Sequence, residues 1–124
     1  MEKNCVFCEA DPARIVFEDD ACYAMFDAFP VNKGHTLIVP KRHVTTVFEL
    51  KPYEVERMHY MMQKVKEMLD KEFSPAGYNV GYNCGEAGGQ TINHCHMHII
   101  PRYDGDVVSP RGGIRGVVPE KQSY

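Results

Sequence analysis

The sequence predicts an α+β fold, an antiparallel five-stranded sheet with one long helix. Three observations carry this. Short strand-like runs bounded by turn residues occupy much of the stretch from Ile15 to Pro40, one stretch after Pro52 repeats apolar residues at three-and-four spacing, and two further strand-like runs follow it. Strands grouped on either side of a single helix point to an α+β sandwich with an antiparallel sheet.

Ile15 to Glu18 and Cys22 to Phe26, separated by Asp19-Asp20, read as strand, tight turn and strand. Val31-Asn32-Lys33-Gly34 is turn-like and leads into His35-Thr36-Leu37-Ile38-Val39, a third strand closed by Pro40, which has no N–H to give a ladder. From Pro52, a good first-turn residue, apolar side chains recur at Val55, Met58, Met61/Met62, Val65 and Met68/Leu69. This is the long helix, ending near Phe73 before Ser74-Pro75-Ala76-Gly77, and its methionines serve core packing. Tyr78 to Tyr82 alternates as a fourth strand, and the glycine-rich loop Gly85 to Gln90 delivers the chain to a fifth, His94 to Ile100, stopped by Pro101. The segment of about 104–124, with Arg111 and Arg115 among glycines and prolines, reads as an irregular tail.

At 124 residues the chain fits one domain over 1–124 with a single core. Its 44% apolar and 25% charged content is that of an ordinary globular protein. A net charge of -3 with scattered basic residues argues against nucleic acid as a partner. The opening Met1 to Cys5 lacks the apolar core of a secretory signal, and no apolar run approaches the roughly 20 residues needed to span a bilayer, so a cytoplasmic protein without membrane contact is expected. Five cysteines without disulfide-framework spacing fit a reducing compartment, where thiols bind metal or pack.

Strand alternation places His94, His96 and His98 on one face and Cys95, Met97 and Ile99 on the other. Residues two apart on a strand lie roughly 7 Å apart, so neighbouring imidazoles can meet on one phosphate or one metal. One histidine there would read as a solvated sheet face, but three in five positions behind a glycine-rich loop mark a site.

The run Gly88 to Arg102, with His94-Cys95-His96-Met97-His98 at its centre, resembles the signature of the histidine triad (HIT) family, and Gly34 to His43 resembles that family's other recurrent segment. The likeness spans roughly residues 5–103. It implies a two-layer α+β fold, a homodimer whose sheets join into one, and hydrolysis or transfer of nucleoside 5'-monophosphates, AMP above all, released from a phosphoramidate, acyl or phosphoanhydride leaving group.

A neutral imidazole is nucleophilic near neutral pH, and the family's middle histidine attacks phosphorus, a role that falls on His96. By the same resemblance His98, the side chain of Gln90 and backbone N–H groups around Gly89 meet the phosphoryl charge, while Thr91 lies near the leaving group. Asp27 matches a position that binds ribose hydroxyls, Asn83 another on the phosphate side, and His35 one that orients the triad. Phe7, Phe26 and Leu37 either form the apolar slot for the base or are plain core.

Cys5-Val6-Phe7-Cys8 has the two-residue gap with which a turn offers two thiolates to one tetrahedral metal; a redox pair is the alternative, but no thioredoxin-like strand precedes it. A zinc-containing bacterial and archaeal-type branch of the family has such a pair together with histidines at the positions of His43 and His94. The resemblance therefore implies a structural Zn²⁺ on Cys5, Cys8, His43 and His94, leaving His96 and His98 to the reaction. Three other readings stand beside this one: a diadenosine polyphosphate hydrolase whose tail arginines meet extra phosphates, a hydrolase with catalytic zinc on His94, His96 and His98, and a nucleotide-binding module without turnover.

Overall fold

A computed structural model describes residues 4–124; the first three residues, on which the reading of the opening segment partly rests, lie outside it. Five strands, β1 (Ile15–Glu18), β2 (Cys22–Phe26), β3 (Thr36–Pro40), β4 (Gly77–Tyr82) and β5 (Met97–Arg102), form one antiparallel sheet in the order β1-β2-β3-β5-β4. The one α-helix among the described residues, α1 (Pro52–Phe73), begins at the proline and ends where Ser74 takes a left-handed conformation. The five strands and the helix are those the sequence predicts.

Period-two alternation gives the sheet two different faces. Cys22, Ala24, Ile38, Met97 and Ile99 point toward α1 and pack against Met58, Met61, Val65 and Leu69. Tyr23, Met25, Leu37 and Val39 point the other way and gather around Phe7 from the N-terminal segment. A rung of that second face, Met25–Leu37–His98–Gly81, crosses β2, β3, β5 and β4 in register. It is the floor of the site described below.

Three details depart from the sequence reading. The buried stripe of α1 starts at Glu54, not at Val55, which is exposed. Arg42 grips both Glu54 carboxylate oxygens, from Nε at 3.0 Å and Nη2 at 2.8 Å, and the Lys51 N–H adds a third bond, so the carboxylate is buried with its partners. The fifth strand begins at Met97, and His94 to His96 precede the ladder. The reason is Pro40 at the end of β3: without an N–H it cannot continue the pairing, and its carbonyl accepts from the His94 ring instead. The tail is also more ordered than expected, with short 3₁₀ turns at Gly113–Val117 and Pro119–Lys121, and Ile114 lies over Gly81. Among the described residues no helix is long and apolar enough to cross a membrane.

Candidate functional site

A cavity of about 910 Å³ opens on the sheet face away from α1, large enough for a nucleotide. His96, His98, Thr91, Asn83, Gly89, Asp27 and His35 line it, and Phe7, Leu37 and Met25 supply part of its apolar lining. Gly89 holds φ +92°, a left-handed conformation that glycine adopts without strain.

The hydrogen bonds fix which ring nitrogen of each histidine carries its proton. His96 Nδ1 donates to the His94 carbonyl at 2.8 Å, so the lone pair of a neutral His96 is on Nε2. The Val31 N–H donates to His35 Nδ1 at 3.0 Å, which places the His35 hydrogen on Nε2. That hydrogen is donated to His98 Nδ1 at 3.0 Å, leaving His98 with its own N–H on Nε2. The backbone of residue 31 thus sets the tautomer of His98 through His35, making one imidazole of the site an acceptor and its neighbour, 5.0 Å away between ring centres, a donor. Asp27 accepts from the Phe29 N–H at 2.8 Å through Oδ1, and its Oδ2 lies 3.5 Å from His35 Nε2.

Burial holds His98 well below the ordinary imidazole value, to about 4, helped by neighbouring His96 and His35 and opposed by Asp27. The same burial lowers His35, again against Asp27. Both rings therefore stay neutral through the physiological range. The consequence for stability has a definite sign. Unfolded His98 takes a proton near 6.5 and folded His98 near 4, so between these values the unfolded chain binds more protons; its contribution is full above 6.5 and is lost as pH falls toward 4. Urea unfolding between pH 7 and 4.5 is expected to show a shallower acid loss for His98→Asn than for the parent chain, whereas equal slopes would show that His98 titrates normally.

His94 belongs to a different constellation. Its Nε2 donates to the Pro40 carbonyl at 2.7 Å, which turns the Nδ1 lone pair toward Cys5, Cys8 and His43. His94 Nδ1 lies 3.4 Å from Cys5 Sγ, 3.6 Å from Cys8 Sγ and 3.1 Å from His43 Nδ1, and Cys8 Sγ lies 3.2 Å from His43 Nδ1. Tetrahedral zinc with sulfur and nitrogen ligands has edges of roughly 3.3–3.8 Å. Two thiols and two imidazole nitrogens at these separations suit such an ion in donor type, number and spacing. The second group of converging ligand atoms, Asp27, His35 and His98, is accounted for by the hydrogen bonds described above. His94, His96 and His98 do not converge on a common point among the described residues: the first turns to the cysteines, the second bonds the first's backbone and the third faces His35.

Other positions are corrected by the structure. Phe26 is off the cavity, on the α1 side of the sheet, where its ring meets Phe73 edge-on at 6.5 Å. Strand parity puts Met25 in its place beside Leu37, where period-two alternation from Asp27 also places it. Met25→Ala is expected to weaken AMP binding several-fold while Phe26→Ala leaves it within about twofold, as titration calorimetry would read; the reverse order would restore the aromatic slot. Gln90 is buried with its amide spent within the loop: Oε1 accepts from the Gly85 N–H at 2.9 Å, and Nε2 donates to the Thr45 and Ile92 carbonyls at 2.7 and 3.0 Å. It positions the glycine loop and has no donor left for a phosphate. Arg111 and Arg115 both stack on Tyr124 and neither lines the cavity.

Residues 9–105 match the family model described as the HIT domain. An uncharacterized HIT-like protein of Methanocaldococcus jannaschii is 42% identical over 82% of this chain and 81% of its own length. A HIT family crystal structure from Bacillus anthracis superimposes with a TM-score of 0.77 at 37% identity, covering 83% of this chain and 76% of the other. A zinc-bound histidine triad family protein from Mycobacterium smegmatis does so at 0.76 and 32%, over 86% and 80%. Two longer relatives carry named activities. They are an adenylylsulfatase of Arabidopsis thaliana, 36% identical over 86% of this chain and 56% of its own, and an AP-4-A phosphorylase of Mycobacterium tuberculosis, 33% identical over 86% and 55%.

Proposed function

Since the chain belongs to the HIT domain family, we propose that it is a nucleotide hydrolase that releases a nucleoside 5'-monophosphate, AMP in the first instance, through a nucleotidyl intermediate on His96. The observation that carries this reading is the His96 ring, whose Nδ1 proton is held by the His94 carbonyl and whose Nε2 lone pair is left for the cavity. In the first step Nε2 forms a bond to the α-phosphorus and the bond to the leaving group breaks with its electron pair. In the second, water adds to phosphorus, the Nε2–P bond breaks, and its pair returns to His96. Net, one water is consumed, one hydrogen going to the leaving group. The His98 Nε2–H and the backbone at Gly89 stabilise the phosphoryl oxygens, Asn83 and Thr91 flank them, and Asp27 accepts from the ribose hydroxyls.

Cys5, Cys8, His43 and His94 would hold a structural zinc, which cross-links the N-terminal segment to the histidine run and takes no part in phosphorus chemistry. The zinc-bound relative supports this assignment. A single domain, a cytoplasmic setting and a homodimer complete the reading; β1 and β4 are the two edge strands of the sheet among the described residues, and pairing two β4 edges would join two sheets into one.

The leaving group is tested by comparing kcat/KM for adenosine 5'-phosphoramidate, an adenylated lysine and diadenosine tetraphosphate. The phosphoramidate and the lysine adduct are expected to lead. The AP-4-A phosphorylase relative gives the polyphosphate reading its support, and a strong preference for diadenosine tetraphosphate would establish it. Tight AMP binding with no turnover of any of the three would leave a binding module.

A further inference from the structure

The nucleotide cavity and the cysteine–histidine cluster share a wall. Residues 4–10 belong to no helix or strand. What places them is a turn closed by the Glu9 N–H on the Cys5 carbonyl at 3.0 Å, the Tyr23 hydroxyl donating to the Phe7 carbonyl at 2.7 Å, apolar packing of Phe7, and the two thiols on the cluster. Phe7 sits between those thiols in the chain. Its buried ring lies 4.9 Å from the His96 ring and 5.8 Å from the His94 ring, and it lines the cavity with Val6, Glu9 and Ala10 of the same segment. From the other side, His94 meets the cluster with its ring and holds the His96 proton with its carbonyl.

We infer that metal and nucleotide bind in one coupled equilibrium, with Phe7 and His94 as the positioning residues that transmit it. The inference rests on the zinc and nucleotide assignments above. A metal on the four ligands ties a turn at residues 5–8 to a residue 86 to 89 positions further along the chain. Without that tie the turn is held to the sheet, among the described residues, chiefly by the Tyr23–Phe7 hydrogen bond and by the packing of Phe7, Cys5 and Ala10, weaker restraints to set against the entropy of a free segment. When the turn leaves, Phe7 leaves His96, one cavity wall opens to water, and the nucleotide must bear the cost of rebuilding it. Coupling of this kind is reciprocal: whatever factor the metal gives nucleotide affinity, the nucleotide returns to metal affinity.

The test uses the full chain, with zinc content measured directly. AMP affinity is determined by calorimetry on zinc-loaded and chelator-stripped protein, and zinc affinity by chelator competition with and without saturating AMP. Stripping is expected to weaken AMP binding about tenfold or more, and AMP to tighten zinc by the same factor. Phe7→Ala is expected to keep one zinc per chain and reduce both factors below about threefold. Coupling that arose only because the stripped chain unfolds would persist in Phe7→Ala, so equal factors in variant and parent overturn the inference even then. Zinc and AMP binding without mutual effect overturns it while leaving both assignments intact. A chain that takes up no zinc, or no AMP, removes the corresponding assignment and the coupling with it.

Discussion

His96→Ala is expected to lower the turnover of adenosine 5'-phosphoramidate by roughly 10⁴-fold or more, the scale seen when the nucleophile of a two-step transfer is deleted. Zinc content should stay at one per chain and AMP affinity within a few-fold. The three expectations separate because the three triad residues have separate tasks. His94 commits its Nδ1 to the cysteine cluster, His98 is a donor set by His35, and only His96 combines an acceptor nitrogen with a place on the cavity wall. If His96→Ala lost its only metal together with activity, the metal would sit at the triad and the hydrolysis would be zinc-assisted. If it retained substantial turnover with its zinc, the covalent route would be wrong.

Cys8→Ser is expected to produce the largest loss of stability of any single change outside the helix core. Cys8 is buried, and its thiol lies 3.2 Å from His43 Nδ1 and 3.6 Å from His94 Nδ1. Replacing it removes a thiolate ligand, and the free energy of metal binding is folding free energy when the unfolded chain has no formed site. A loss on the order of 4 kcal/mol or more, seen as a fall in Tm of about 10–20 °C, is expected together with loss of the zinc. Cys84→Ser is the control. Cys84 lies outside the cluster, and its substitution should change neither zinc content nor Tm appreciably. Full zinc in Cys8→Ser, or an unchanged melting curve, would remove the metal from the account of this fold.

What the sequence could convey depended on whether the deciding interaction was local. Helix α1 begins and ends where Pro52 and the Ser74-Pro75 pair place it, because first-turn proline and a helix-stopping pair act within one turn. Its buried face was harder to read, since Glu54 and Val55 are adjacent and the choice between them was made by Arg42, which reaches the carboxylate from the loop after β3. The same contrast holds in the site. Asp27, Leu37 and His35 are where period-two strands and a short turn put them, while of the three residues offered to the base slot or the core, Phe26 is the one that strand parity turns to α1. The convergence of Cys5 and Cys8 with His94 has no local signal at all, and came from resemblance alone. The relay from Val31 through His35 to His98 was invisible for another reason: a ring tautomer is set by a backbone N–H whose direction no sequence spacing reveals.

Direct trapping of the covalent intermediate tests the central claim. Protein mixed with adenosine 5'-phosphoramidate at high enzyme concentration, quenched within the first turnover in denaturing base to spare the acid-labile phosphorus–nitrogen bond, is digested and examined by mass spectrometry. The account predicts one adenylyl group on the peptide containing His96, at Nε2, appearing before AMP is released and absent from His96→Ala. AMP released at full rate with no adduct on that peptide, or an adduct carried by another residue, would contradict it.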